Sequence, residues 1–179
     1  RFKDDNGYNF PEWEEKKLDD IFDAKKGQGL SGKNIVDNGI NKCILYGALY
    51  TKYNEVILDV IESTNEDGAV KSKIGDILVP ASTTTNGIDL ANFTALNENN
   101  ILLGGDITIL RFKNVGDNIF WAYYLTHYKK FEVAKYAQGS TIVHIYFTHF
   151  KKVAVKEPSV VEQQKISSFI YSLDKKIDL

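Results

Sequence analysis

Gly27-Gln28-Gly29-Leu30-Ser31-Gly32-Lys33-Asn34 comes within one residue of a phosphate-binding loop. Such a loop places Ser or Thr directly after its lysine to hold magnesium, and Asn34 stands there instead. The flanks fail as well. Phe22-Asp-Ala-Lys-Lys is a poor buried strand, and Gly39 would break the helix that should follow. The stretch reads as a polar loop whose backbone amides and lysines can hold anions, with a solvated surface loop as the plainer alternative. His127, His144 and His149 share no four-residue helical spacing and have no cysteine pair beside them, so they predict no metal site. Glu55, Asp59 and Glu62 could line one helical face as paired acids, but an acidic solvated face accounts for them more simply. Glu14-Glu15-Lys16 has the acidic-x-lysine spacing of a nuclease site without the upstream Pro-Asp. None of the three prolines adjoins another, so the Asn/Asp-Pro-Pro-aromatic motif of adenine methyltransferases is missing. Catalytic chemistry is not legible in this chain.

The 179 residues suffice for one domain, or a domain with an appendage, around an ordinary core. Aromatics at 12% and only 3 prolines argue against disorder. No apolar run approaches the roughly 20 residues of a membrane helix. Arg1 opens a sequence with no methionine, which is expected of a piece cut from something longer. Cys43 is alone within an apolar run. It excludes an internal disulfide and predicts a buried thiol, compatible with a reducing cytoplasm. The net charge of −2 hides an uneven spread. Residues 54–70 carry Glu55, Asp59, Glu62, Glu66 and Asp67 without one Lys or Arg. Lys25, Lys26, Lys33 and Lys42 lie early, and Lys129, Lys130, Lys135, Lys151, Lys152 and Lys156 cluster late.

Several elements must hold these residues. Leu18, Ile21 and Phe22 fit a short helix after Trp13. Cys43–Thr51 reads as a strand and turn, and Val56–Ile61 fits either a strand or a helix. Ile74–Val79 is a short buried strand that Pro80 ends, followed by the polar turn Ala81-Ser-Thr-Thr-Thr-Asn-Gly87. Ile107–Phe112 alternates as a strand does, and Ile119–Tyr136 carries aromatics at helical spacing. The fold class is a mixed, strand-rich α/β domain over 1–157, followed by a coiled-coil-type helix over 158–179.

That helix is the most telling stretch. Pro158 closes Val153-Ala-Val155, Ser159 caps, and Glu162 three residues on completes a capping box. Ile166, Phe169, Ile170, Leu173 and Ile177 then form an apolar stripe, which predicts a partner-helix interface and self-association. Pro158 followed by Glu162-Gln163-Gln164-Lys165-Ile166, then Leu173-Asp174 and Ile177, resembles the specificity subunit of type I restriction-modification enzymes. Trp13-Glu-Glu-Lys-Lys-Leu18-Asp-Asp-Ile21 looks like that family's domain start. Gly75-Asp76-Ile77 and Gly105-Asp106-Ile107 look like its two Gly-Asp-hydrophobic strands. Gln138-Gly-Ser-Thr141 and Phe150-Lys-Lys-Val153 look like its approach to the helix.

The resemblance implies a non-catalytic, cytoplasmic reader of double-stranded DNA that recognises half of a bipartite site and has no membrane partner. Its helix would pair with that of a second recognition unit. Methyltransferase subunits would bring S-adenosylmethionine, and a motor-nuclease subunit would bring ATP and magnesium, leaving this chain without a cofactor. On chemistry, Lys25, Lys26 and Lys33 suit phosphates. Gln28, Ser31 and Asn34 suit base edges, as do Thr83, Thr84, Thr85 and Asn86. Tyr46 and Tyr50, interleaved with Lys52, could stack on bases or meet sugars, though half-buried sheet aromatics would look the same. The rival functions are a protein-interaction module acting through the helix, or a metal-dependent nuclease using Glu14 and Lys16.

Overall fold

A computed structural model describes residues 2–177, with side chains for 2–174. Its centre is a five-stranded sheet in the order Phe22–Lys26, Ile107–Phe112, Asp76–Pro80, Thr94–Leu96 and Val56–Ile57. All neighbours are antiparallel except the last pair. Strand side chains alternate between faces, so a strand buried on both faces feeds two cores. Asp76–Pro80 is buried throughout. Ile77 and Val79 join Leu110, Phe22, Phe120 and Trp121 under the helical layer. Leu78 joins Ile107, Ile109, Leu96 and Ile44 on the opposite face. There a four-stranded sheet packs, in the order Glu62–Thr64, Asn41–Ile44, Leu102–Leu103 and Val70–Lys71.

The two Gly-Asp turns lie at opposite ends of the central strand pair. Gly75, at φ +90°, is followed by Asp76, which is 1% exposed. The Asp76 carboxylate accepts from Arg111 Nε at 2.8 Å and Nη2 at 2.9 Å, and from Lys73 N at 2.8 Å. Asn118 Nδ2 donates to Asp76 O at 3.3 Å and to Asn97 Oδ1 at 3.1 Å, which fixes the helix Asn118–Tyr123 against the sheet. At the far end Asp106, with φ +58°, accepts from Ala81 N through its carbonyl at 2.7 Å. Its Oδ2 accepts from Ser82 Oγ at 3.1 Å.

The terminal helix, Val160–Ile177, is docked on the domain by the Glu-Gln pair itself. Glu162 and Gln163 are both 0% exposed. The Glu162 carboxylate accepts from Trp13 Nε1 at 3.1 Å, and Glu162 N donates to Ser159 Oγ at 3.4 Å. Gln163 accepts from Asp117 N at 3.0 Å and donates to Pro158 O at 2.9 Å. Ile166 is half-buried against the main core, and Ile170 is half-buried in a pocket shared with Trp13 and Phe120. The stripe therefore divides. Ile166 and Ile170 face the chain's own domain, while Phe169 and Leu173 stay 50% and 42% exposed. Phe169 meets Phe2 edge-on at 5.5 Å. The Ile177 side chain lies outside the described residues.

Three sequence expectations change. Ile74 is 64% exposed and the strand begins at Asp76, because Lys73 and Ile74 form the turn that Asp76 caps. Val56–Ile61 resolves into a two-residue strand, with Leu58 and Ile61 exposed. The aromatic helix breaks into Asn118–Tyr123, a π-turn over Tyr124–Tyr128, and Lys130–Ala134.

Removing Arg111 would leave Asp76 buried without its counter-charge. Arg111→Met should cost about 3–5 kcal/mol in urea unfolding; a variant as stable as the parent would refute this role. Cys43 is fully buried, and that burial, with the Glu62 carboxylate nearby, pushes its thiol from 9.0 to about 11. Between those values the unfolded chain has lost the thiol proton and the folded chain keeps it, so stability falls as pH rises. Relative to Cys43→Ala, the parent should lose about 2 kcal/mol between pH 8 and 11. Parallel pH profiles for the two proteins would contradict the burial.

Candidate nucleic-acid interface

The register sets Lys26 opposite Thr108 and Pro80 opposite Ile107, so three connections share one end of the central sheet. They are the loop after Lys26, the turn Gly104–Asp106, and the segment after Pro80. Ser82–Thr83 pairs with Val143–His144, which adds the Gln138–Thr141 turn to the same end. Lys26 joins the parts. Its ammonium lies 3.4 Å from Asp106 Oδ1 and 5.5 Å from the centroid of the Tyr146 ring. Tyr146 in turn stacks on His144 at 5.9 Å.

Beside this junction lies a groove of about 450 Å³ whose lining includes Lys25, Lys26, Lys113, Lys151, Tyr146 and Thr148. Four ammonium groups around one concavity suit a phosphate backbone. Acids partly offset them. Asp23 lies 3.8 Å from Lys113. Asp19 pairs with Lys152 at 2.7 Å, a hydrogen bond that holds its carboxyl below the usual range. Lys25 and Lys151 have no ion pair among the described residues.

The glycine loop is fastened rather than slack. Gly27 passes so close to Gly104 that a Cβ would collide with its carbonyl. Gln28 N donates to Leu103 O at 3.2 Å, and Leu30 is buried with Cys43, Ala69 and Leu102. Gln28, Ser31 and Lys33 remain exposed. Asn34 does not offer a free amide edge. Its Oδ1 accepts from Ser31 N and Oγ, both at 2.9 Å, and its Nδ2 donates to Glu66 at 3.1 Å. It closes a short 3₁₀ turn, Gly32–Asn34, and so helps set the shape of the loop.

The threonine turn is likewise tied into the fold. Thr83 is 1% exposed, so it does not present a hydroxyl to a groove. Its Oγ1 lies 2.8 Å from Thr85 Oγ1, which donates to Asp89 at 2.5 Å. Asn86 Oδ1 accepts from Ile88 N at 3.2 Å and caps the turn Gly87–Leu90. Thr84 alone of this set is exposed without a hydrogen bond among the described residues. Tyr46 and Tyr50 are half-buried, and Tyr46 packs on the second core. Lys52 is held by Glu62 at 2.7 Å, and none of these three lines the lysine groove. Sequence reasoning missed Tyr146 and Lys113 as groove residues. The late lysine cluster was the one available signal, and it pointed to Lys151.

Residues 11–179 match the type I restriction modification DNA specificity domain. The chain belongs to that family. Its fold is similar to the S subunit of the type I restriction-modification system of M. genitalium, with a TM-score of 0.68 and 19% identity, covering 99% of this chain and 42% of that one. It is also similar to the HsdS subunit from Thermoanaerobacter tengcongensis, with a TM-score of 0.63 and 15% identity, covering 94% and 39%. The specificity domain thus spans about two-fifths of the length of these solved relatives. No match is found among curated protein sequences. In this DNA specificity domain the lysine groove runs along the edge strand Phe22–Lys26 and meets the exposed loops at Lys26.

If the groove holds phosphates, Lys25→Ala and Lys151→Ala should each lower the slope of log affinity against log salt by about 0.9, for all duplex sequences alike. Lys52→Ala, whose charge Glu62 already takes up, should leave the slope unchanged. Fluorescence anisotropy over a salt series reads both effects.

Proposed function

We propose that the chain reads one half of a bipartite, asymmetric DNA site within a type I restriction-modification complex. In this reading it acts in the cytoplasm and carries no cofactor. Methyltransferase subunits supply S-adenosylmethionine chemistry, and a motor-nuclease subunit supplies ATP- and magnesium-dependent cleavage. The observation that carries the reading is the junction at Lys26. It joins a lysine-lined groove to three segments with exposed side chains: Gln28–Lys33 apart from buried Leu30, Thr84–Thr85 and Gln138–Thr141. Phosphate contacts give position without sequence information, and base edges must be read by side chains that donate and accept in fixed geometry. Gln28, Thr84 and the Gln138–Thr141 turn are exposed polar groups at this end of the sheet. Pairing of the terminal helix with that of a second recognition unit falls to Phe169 and Leu173, the exposed shoulder of the stripe, and not to Ile166 and Ile170.

The nuclease alternative has less to work with. Lys16 is paired with Glu14 at 3.2 Å and in close contact with Glu157, tying the strands Glu14–Lys17 and Ala154–Glu157 together. Among the described residues no three His, Cys, Asp or Glu side chains converge as metal ligands would.

Replacing Gln28–Lys33 and Gln138–Thr141 by the matching loops of a domain with another specificity should change which sequence the assembled enzyme methylates. Single-molecule sequencing of host DNA would map it. One lost base contact should cost about 1–3 kcal/mol at one position of the site only. An unchanged methylated sequence would place the readout outside these loops.

A further inference from the structure

The helical layer changes character at Tyr124. After Asn118–Tyr123 the chain makes a π-turn over Tyr124–Tyr128, and Lys129 N reaches back to Tyr124 O at 3.3 Å. Such wide turns are rare and gather at functional sites. Here the turn aligns rings. Phe120, Tyr124 and Tyr128 stack in succession, with centroids 5.6 and 5.3 Å apart. Tyr128 is 75% exposed and ends the ladder, with the Lys129 ammonium 5.8 Å from its ring centroid. Trp13 meets Phe120 and Tyr124 edge-on. Ile166 and Ile170 of the terminal helix help complete an open pocket of about 460 Å³.

The pocket also holds two carboxylates from distant parts of the chain. Glu55 lies 2.8 Å from His127 Nε2, and Asp174 accepts the Tyr123 hydroxyl. Burial, reinforced by Asp174, holds that phenol well above its usual range, so it remains a donor. Each carboxylate keeps a second oxygen. Among the described residues neither is paired with a lysine or arginine, and the nearby Lys129 is engaged by Glu132 at 2.8 Å.

A neutral apolar occupant would desolvate both acids without compensation, and an anion would be repelled. A cation suits the two carboxylates, and flat aromatic walls favour a flat, weakly hydrated one. Guanidinium stacks on rings and pairs bidentately with carboxylates, whereas ammonium is compact and strongly hydrated. We propose that this pocket receives the side chain of an arginine presented by a partner polypeptide. The site shares no residue with the lysine groove, so it stands or falls independently of the DNA reading.

The test is an NMR titration of the chain with Nα-acetyl-arginine methylamide and with its citrulline and lysine counterparts. The Trp13 indole resonance is the reporter, and that of fully buried Trp121 is the reference. The arginine probe should shift Trp13 saturably, with the neutral citrulline analogue at least ten-fold weaker. Glu55→Gln combined with Asp174→Asn should reduce arginine binding to the citrulline level. Equal binding of arginine and citrulline, no saturable shift, or full binding by the double variant would overturn the proposal. Lysine binding as tightly as arginine would overturn the choice of guanidinium. Should the double variant move the Trp121 resonance and prove misfolded, the arginine–citrulline comparison on the parent chain still decides.

Discussion

One buried carboxylate constrains most of this domain. Asp76 opens the central strand with almost no exposure, and burying a lone carboxylate costs several kcal/mol. The charge is acceptable only because Arg111 reaches it with two nitrogens from the neighbouring strand while Lys73 N supplies a third donor. The geometry that satisfies the charge also fixes the register of Asp76–Pro80 against Ile107–Phe112. Through the Asp76 carbonyl and Asn118 it fixes the seat of the helical layer as well. Hydrophobic burial holds the two cores together without direction; this polar junction chooses one arrangement among those that would bury similar area.

The antiparallel pairing of those two strands separates the molecule into two working ends. The Asp76 end lies toward Asn118 and, through Asp117 and Gln163, toward the terminal helix. The Asp106 end carries the Lys26 junction and the exposed loops, and the lysine groove runs from it along the edge strand Phe22–Lys26 to Lys113. Loops leaving a fully buried strand can vary in sequence while their direction stays fixed by the core, a useful property in a family defined by DNA specificity. At the helical end the buried polar pair Glu162 and Gln163 sets how the terminal helix leaves the domain, since each side chain has a defined partner. An apolar contact there would hold the helix without fixing its angle.

The strands with strong alternation, the short helix before Phe22, the terminal helix after Pro158, the buried lone cysteine and the family resemblance were all legible in the chain itself. These are local patterns: period, capping and proline placement act within a few residues of one another. The chemistry of the loops depends instead on the partners that folding supplies. Asn34, Thr83 and Asn86 have side chains suited to bases, yet their hydrogen bonds go to Glu66, Thr85 and Ile88, partners that residue type alone does not reveal. The terminal stripe likewise read as one interface. Rotation about the helix axis, set by Glu162 and Gln163, gave Ile166 and Ile170 to the domain and left Phe169 and Leu173 outside. Lys25, Lys113 and Lys151 lie far apart in the chain and share a groove only because the edge strand Phe22–Lys26, the end of Ile107–Phe112 and the turn after the helix Phe147–Phe150 lie side by side. A local pattern can set an element, but which side chains remain free depends on long-range partners, and those exist only once the chain has folded.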